Sequence, residues 1–496
     1  MTMRKQPIAL AAAAAAALLL AGCSLIPTYE RPAPPVEAAF PPAPEIAGMA
    51  PRSSAGLVPA ELPYTQFFSD ERLVRLVGIS LQGNRDLRAT VLAVEQARAL
   101  IQIRRADQFP SVGLGVNASR APNTFNGGIT NYFQVGLAVT AWELDFFGRL
   151  QSLKEQALAA YLASEEGRRA AQTSLVSGVA SAWLALQADE ELLELSRRTV
   201  ATREDSVRLT KLRLDNGVSS ALDFRQAESL AESARATLAQ NQRLRATDEN
   251  ALVLLLGQPI PPDIRTSLAG NRLADAAPFP DLQAGLPSDL LARRPDIRQS
   301  EQQLRAANAN IGAARAAFFP RISLTAQAGT ASNELSGLFK DGNWAFTLSP
   351  SALLPIFDAG RNRANLTTAQ AARDIAVAQY EKSIQSAFRE VSDALAGEAT
   401  LAEQLRALQA QAQAESSRFE LSDLRYRNGV STYLDLLDAQ RSLFTAQQLV
   451  VQTRLAQRQN QVALYRALGG GWTDAPELGA SASAIDPALP AASATR

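Results

Sequence analysis

The sequence predicts a mixed α+β membrane protein in which long coiled-coil helices alternate with short sheet segments. Three observations predict it. The chain states its plan twice within 496 residues. Each half holds a proline-free stretch far longer than an ordinary globular helix. Each half also holds a segment whose apolar residues recur with period two.

The duplication comes first because it organises the rest. Asp86-Leu87 matches Asp296-Ile297 and Phe109-Pro110 matches Phe319-Pro320, both at an offset of 210. Phe147-Gly148-Arg149 against Ala359-Gly360-Arg361, Asn216-Gly217-Val218-Ser219 against Asn428-Gly429-Val430-Ser431, Leu222-Asp223 against Leu434-Asp435 and Leu256-Gly257 against Leu468-Gly469 all fall at 212. The two-residue slip lies between Pro110 and Gly148, where a surface loop absorbs it. The repeats are placed at 71–280 and 281–472.

Within each repeat a first helix runs to Pro110 or Pro320, where the missing N–H forces a change of direction. The strand regions are ~111–147 and ~321–358. Very long helices follow at 148–214 and 360–426, and second helices at 220–256 and 432–468. A helix of 67 residues reaches roughly 100 Å. Val179, Leu186, Leu193, Val200, Val207 and Leu214 recur every seven residues. Val391, Leu405, Ala412, Phe419 and Tyr426 keep that register, interrupted at Glu398. Leu437, Phe444, Val451 and Tyr465 give the partner helix a similar stripe. A sustained spacing of seven specifies left-handed coiled coils. Between the helices of each pair, Asn216 to Ser219 and Asn428 to Ser431 break the chain, Asn-Gly supplying the positive-φ positions of a tight reversal.

The strand regions alternate through Val112, Leu114, Val116 and Ala118, through Val135, Leu137 and Val139, through Ile322, Leu324, Ala326 and Ala328, and through Trp344, Phe346 and Leu348. Tyr132, Phe133, Trp142, Phe146, Phe147, Phe318, Phe319, Trp344 and Phe357 cluster near the strand ends. Apolar alternation with aromatic girdles fits an outer-membrane barrel; on periodicity alone a soluble sandwich fits equally well. Two strands per half make four per chain, fewer than the about eight of the smallest spanning barrels. Open edges are not tolerated in lipid, so spanning strands require several chains to build one barrel. No later stretch of about 20 apolar residues offers a spanning helix instead.

The first residues read as an address. Arg4 and Lys5 precede an apolar run from Ile8 to Leu20, and Leu20-Ala21-Gly22-Cys23 follows. This is a signal peptide over 1–22, ending in a tetrapeptide similar to a bacterial lipobox with Cys23 as the lipidated residue. Ser24, in place of the aspartate that retains lipoproteins at the inner membrane, favours the outer membrane. Prolines make 23–60 an extended strap, and 473–496 reads as a disordered tail.

Composition narrows the function. Lys+Arg and Asp+Glu are both 49, which argues against a nucleic-acid partner. There is no histidine, and Cys23 is the single cysteine, so the commonest general base, metal ligand and thiolate cluster are missing. No metal site and no enzymatic activity are expected, although a carboxylate-only site stays open. No Gly-x-x-x-x-Gly-Lys-Ser/Thr motif is present.

Taken together, the chain resembles the TolC-like outer membrane factor family, in its lipid-anchored OprM-like branch. The resemblance is carried by Cys23-Ser24-Leu25-Ile26-Pro27 with its proline-rich strap, Leu354-Pro355-Ile356-Phe357-Asp358-Ala359-Gly360-Arg361, Arg425-Tyr426-Arg427-Asn428-Gly429-Val430, Leu436-Leu437-Asp438-Ala439-Gln440-Arg441 and Ala467-Leu468-Gly469-Gly470-Gly471-Trp472. It covers essentially the whole mature chain. It implies a homotrimer with a 12-stranded β-barrel, four strands from each chain, continuous with a long periplasmic coiled-coil barrel.

The resemblance also implies roles. Asn216, Gly217, Val218 and Ser219, with Asn428, Gly429, Val430 and Ser431, become tips that meet a periplasmic adaptor (membrane fusion protein). Phe419, Glu420, Asp423 and Arg425 fall where the family closes its tunnel, and Asp423 is the leading gate candidate. The repeats differ there: Asp423 aligns with Lys211 and Phe419 with Val207. Pro110 and Pro320 become swivels from helix to strand. The implied function is a passive exit duct for drugs or other toxic solutes, fed by an inner-membrane RND (resistance-nodulation-division) transporter and held in outer-membrane lipid by the covalent lipid on Cys23, with no other cofactor. A type I secretion duct and a non-conducting periplasmic scaffold lipoprotein are the alternatives.

Overall fold

A computed structural model describes residues 24–41, 62–122, 127–269, 272–282, 285 and 287–472. The signal segment, Cys23, strap residues 42–60 and the tail 473–496 lie outside the described residues. The element order is α1 (Tyr64–Phe67), α2 (Glu71–Gly83), α3 (Arg85–Ala106), β1 (Val112–Pro122), β2 (Ile129–Leu144), α4 (Arg149–Asp215), α5 (Ala221–Leu256), α6 (Pro262–Ser267), α7 (Pro287–Arg293), α8 (Pro295–Ala316), β3 (Arg321–Ser332), β4 (Trp344–Leu353), α9 (Arg361–Arg427) and α10 (Tyr433–Ala467). The halves carry matching elements: α3 and α8 have 22 residues each, and α4 and α9 have 67 each. The second helices start one residue later than the sequence suggests because Ser220 and Thr432 are caps rather than helix residues.

The chain divides into two compact units. The first takes in the strap up to Pro35, Thr90–Gly167 and Asp296–Ile384. Its centre is one antiparallel sheet in the order β1-β2-β3-β4. Directly paired residues share a face, so the register sorts the side chains. Val112, Leu114 and Val116 pair with Val139, Leu137 and Val135. These pair with Ala326, Ala328 and Thr330, which pair with Leu348, Phe346 and Trp344. One face is therefore apolar across all four strands. The other carries Asn117, Gln134, Gln327 and Thr347 with small residues between them. Gly136 and Gly329 pair on that polar face, and a Cβ on either would lie under 3.0 Å from the neighbouring backbone.

Strand β2 does not keep one parity to its end. The register shifts between Val139 and Trp142, where Ala141 adopts φ 47° and its N–H donates to Thr325 Oγ1 at 3.2 Å. The extra residue returns Trp142 and Leu144 to the apolar face, opposite Leu324 and Ile322. Strict alternation from Val139 would have turned both away.

Pro110 and Pro320 stand between helix and strand. Tight turns precede them, with Phe109 N donating to Ala106 O and Phe319 N to Ala316 O. Phe147 stacks on Phe319 at 4.8 Å between ring centroids. Gly148 and Gly360 take φ 70° and 85° just before the long helices.

The second unit takes in Val36–Ala89, Arg168–Pro295 and Gln385–Arg496. An aromatic core joins Phe67, stacked 4.1 Å from Tyr465, to Phe68 and Phe279. Trp183 is buried and its indole N–H donates to Asp70 Oδ2 at 3.2 Å. Val179, Leu186 and Leu193 of the heptad series are buried, whereas Val200, Val207 and Leu214 are half-buried. Helices α4 and α5 also meet through carboxyls. Burial, followed by the charge of Asp248 and a hydrogen bond to it, pushes Asp189 up to about 7, against the opposing pull of Arg245. Arg245 itself bridges Glu190 at 2.6 Å and Glu249 at 3.0 Å.

Candidate functional site

Each reversal between long helices is a helix stop joined to a helix start. At the first, Gly217 takes φ 72° and the N–H of Val218 reaches Arg213 O at 2.9 Å. At the second, Gly429 takes φ 71° and the N–H of Val430 reaches Arg425 O at 2.9 Å. This six-to-one bond with a left-handed glycine closes a helix end. Only the glycines take positive φ, which corrects the expectation for the Asn-Gly pairs. Asn216 and Asn428 instead donate their side-chain amides to Leu212 O and Leu424 O, both at 2.7 Å. Ser220 with Asp223, and Thr432 with Asp435, then form capping boxes that start the return helices.

Asn216, Gly217, Val218, Asn428, Gly429 and Val430 are exposed, and Ser219 and Ser431 are half-buried. Leu212, Val218 and Leu222 at one tip, and Leu424, Val430 and Leu434 at the other, expose the same apolar triad. Each helix pair thus ends in exposed apolar side chains.

The expected gate residues do not form one cluster. Phe419 packs against the core made by Ala227, Leu230, Tyr426, Tyr433, Leu436 and Leu437. Asp423 Oδ2 pairs with Arg427 Nε at 2.7 Å. Glu420 and Arg425 are exposed. The repeats hold an ion pair at the same two places with opposite polarity, Lys211 with Asp215 in α4 and Asp423 with Arg427 in α9.

The contacts that join one repeat to the other lie elsewhere. Arg213 Nη2 donates to Tyr426 O at 3.1 Å and Arg427 O at 3.2 Å, and its guanidinium lies 4.4 Å from the Tyr426 ring centroid. Gln440 Nε2 donates to Ser206 Oγ at 3.1 Å. Within the second repeat, Arg418 pairs with Asp438 between α9 and α10. Sequence comparison of the repeats passes over Arg213, because Arg425 occupies the matching place. Arg213 crosses to the other repeat while Arg425 stays exposed.

In the sheet-bearing unit, the strap lies antiparallel to α8. Arg315 Nη1 donates to Leu25 O at 3.3 Å and Asn308 Nδ2 to Pro27 O at 2.8 Å. Further along, Arg31 binds both oxygens of Glu301, at 3.1 and 2.6 Å, and Tyr29 donates to Glu301 Oε1 at 3.2 Å. Burial raises the Glu301 pKa, but hydrogen bonds from Arg31 and Arg305 outweigh it and hold the carboxyl below its ordinary value. Gly312 leaves room for Ile26, since a Cβ there would lie 2.5 Å from Ile26 Cγ1. Ser24, the residue after Cys23, therefore starts at the end of α8 that leads into β3.

Among known proteins, the family model described as outer membrane efflux protein matches residues 76–258 and 286–470. The chain is 47% identical over 465 residues to an antibiotic efflux pump outer membrane protein, ArpC, of Pseudomonas putida, covering 92% of this chain and 95% of that one. A toluene efflux pump outer membrane protein, TtgC, from the same species matches to the same extent. Among solved structures, the open state of the MtrE outer membrane channel of Neisseria gonorrhoeae superposes with a TM-score of 0.80 at 40% identity, covering 91% of this chain and 99% of that one.

Proposed function

The chain belongs to the outer membrane efflux protein family, and on that premise we propose that three copies form the passive exit duct of a tripartite efflux system. Its fold is that of the TolC-like channels, and it acts at the outer membrane as an efflux channel subunit. The sheet carries the reading. Its strands have 10 to 16 residues, enough to cross a hydrocarbon core, which takes about 9–11 residues per tilted strand. One face is apolar for lipid and the other polar for a water-filled lumen. The first and last strands, β1 and β4, are both edges. Their free N–H and C=O groups need partners in lipid, so β1 of one copy pairs with β4 of the next until the ring closes. No helix among the described residues is long and apolar enough to cross a membrane.

The remaining assignments follow. The paired apolar tips dock the hairpins of a periplasmic adaptor, which links the duct to an inner-membrane RND transporter. The strap holds Leu25 at the strand-side end of α8, and the lipid on Cys23 anchors the chain in the outer membrane. Relatives named for antibiotics and for toluene support small toxic solutes, apolar ones included, as cargo. The gate lies at the tips, with Asp423 and Phe419 on α9 and Arg213 on α4 as its residues. Planar-bilayer recording of purified, correctly folded trimers tests the reading: discrete channel conductance is expected, and trimers that conduct nothing with adaptor tips engaged would overturn it.

A further inference from the structure

A cavity of about 170 Å³ lies between α4, α9 and α10 in the helical unit. Arg203 lines it with its side chain largely buried, the residue being 4% exposed. Its Nη1 donates to Leu230 O at 3.1 Å, whereas Nε has no hydrogen-bond partner. Its guanidinium lies 5.2 Å from the Phe444 ring centroid. No aspartate or glutamate lines the cavity, but a second cation, Arg198, does. Burial, and then the nearby charge of Arg441, lower the Arg203 pKa. Among the described residues Arg203 is thus a buried cation with no carboxylate partner, beside Arg198, which pairs with Glu194 at 3.9 Å; burying it unpaired costs free energy unless an anion completes it. Leu195, Phe419, Leu443 and Phe444 give the cavity apolar lining, alongside the polar Thr199, Thr202, Gln440 and Gln447.

We propose that this cavity binds a small amphiphilic monoanion, an aromatic or short-chain carboxylate, with its carboxylate on Arg203 and its apolar part against Phe419 and Phe444. A planar guanidinium suits a carboxylate better than it suits a point-like anion. An inorganic anion would neutralise Arg203 and leave the apolar wall unused. A neutral aromatic would do the reverse, and a cationic solute meets like charge. The ligand spans α4 and the α9–α10 pair, the same elements that Arg213 and Gln440 connect.

The test is titration of the purified full-length trimer, in neutral detergent, with benzoate, benzyl alcohol and acetate, read by calorimetry and by ligand-observed NMR. Benzoate is expected to bind saturably, and more tightly than either benzyl alcohol or acetate. Arg203→Gln should weaken benzoate by at least about tenfold, the loss of one charge-assisted pair. Phe444→Ala, which leaves the cation in place, should weaken benzoate while leaving acetate unchanged, and it stands in if Arg203→Gln fails to assemble. Three outcomes each overturn the proposal: no saturable benzoate binding to native trimers, equal binding of benzoate and acetate, or benzoate affinity unchanged by both substitutions.

Discussion

Replacing Arg213 by alanine should loosen the contact between the two repeats at their tips and raise the resting conductance of the trimer. The tail of α9 ends in carbonyls that its own helix leaves underused, and they carry the negative end of the helix dipole. Arg213 reaches two of them from α4, at 3.1 and 3.2 Å, and stacks on Tyr426 at 4.4 Å. In this half-exposed setting a charge-assisted hydrogen bond contributes ~1 kcal/mol and the cation–π contact ~0.5 kcal/mol. The two hydrogen bonds and the cation–π contact sum to ~2.5 kcal/mol per protomer, about a 70-fold bias toward the docked arrangement if all of it is lost on opening. Arg213→Lys keeps the charge without the planar fork and should fall between wild type and alanine. Arg208→Ala, which removes an exposed cation of the same helix paired with Asp205, is the matched control and should change nothing. Single-channel recording at low voltage reads the effect. Arg213→Ala trimers that melt like wild type and show wild-type resting conductance would refute the assignment.

Asp423→Ala should also raise resting conductance, because it frees Arg427 from its 2.7 Å pair and removes three symmetry-related carboxylates at the tips; unchanged conductance removes Asp423 from the gate. Gly312→Val should displace the strap, since its side chain would occupy the place of Ile26, and limited proteolysis between Ser24 and Arg31 should accelerate. Glu301→Gln should act in the same direction more weakly. Because the Glu301 pKa is depressed, its contribution is present above the ordinary carboxylate range and is lost as pH falls through the folded value. Gly136→Val should abolish trimer formation on semi-native gels, as its Cβ would sit under 3.0 Å from the backbone of Ala328 and Gly329; a normal trimer yield would show that β2 and β3 can separate there. For Asp189 the sign is opposite to that of Glu301: with the folded pKa raised to about 7, its contribution is full at acid pH and lost as pH rises through 7. Asp189→Asn should therefore flatten the fall in melting temperature between about pH 4 and about pH 7, as read by scanning calorimetry.

Much of this protein is local, and local features are legible in a sequence. The seven-residue spacing, the absence of proline and the cap residues set α4 and α9 to within one residue, because each depends on neighbours three or four places away. The tip glycines are equally readable, since only a left-handed residue closes a helix this way. The alternation through Val112, Leu114 and Val116 fixed which side chains share a face, and the strand count required more than one chain.

What only the tertiary structure decided is how two halves built on one plan come to differ. Ala141 shifts the parity of β2 because β3 is paired beside it, and nothing in the local sequence marks the extra residue. The strap's direction along α8 rests on pairings across about 270 residues of chain, Arg31 to Glu301 among them. Arg213 and Arg425 occupy matching places in the two repeats, yet only the packing of α4 against α9 turns one of them into a bridge. Arg203 would pass as a solvated coiled-coil charge until three helices bury it without a counter-ion. The sequence by itself determined the parts and their repetition, because helix, cap and strand signals act over a few residues. Which side chains bridge the repeats and where charge is left unpaired depend on contacts between distant elements, and those exist only in the folded chain.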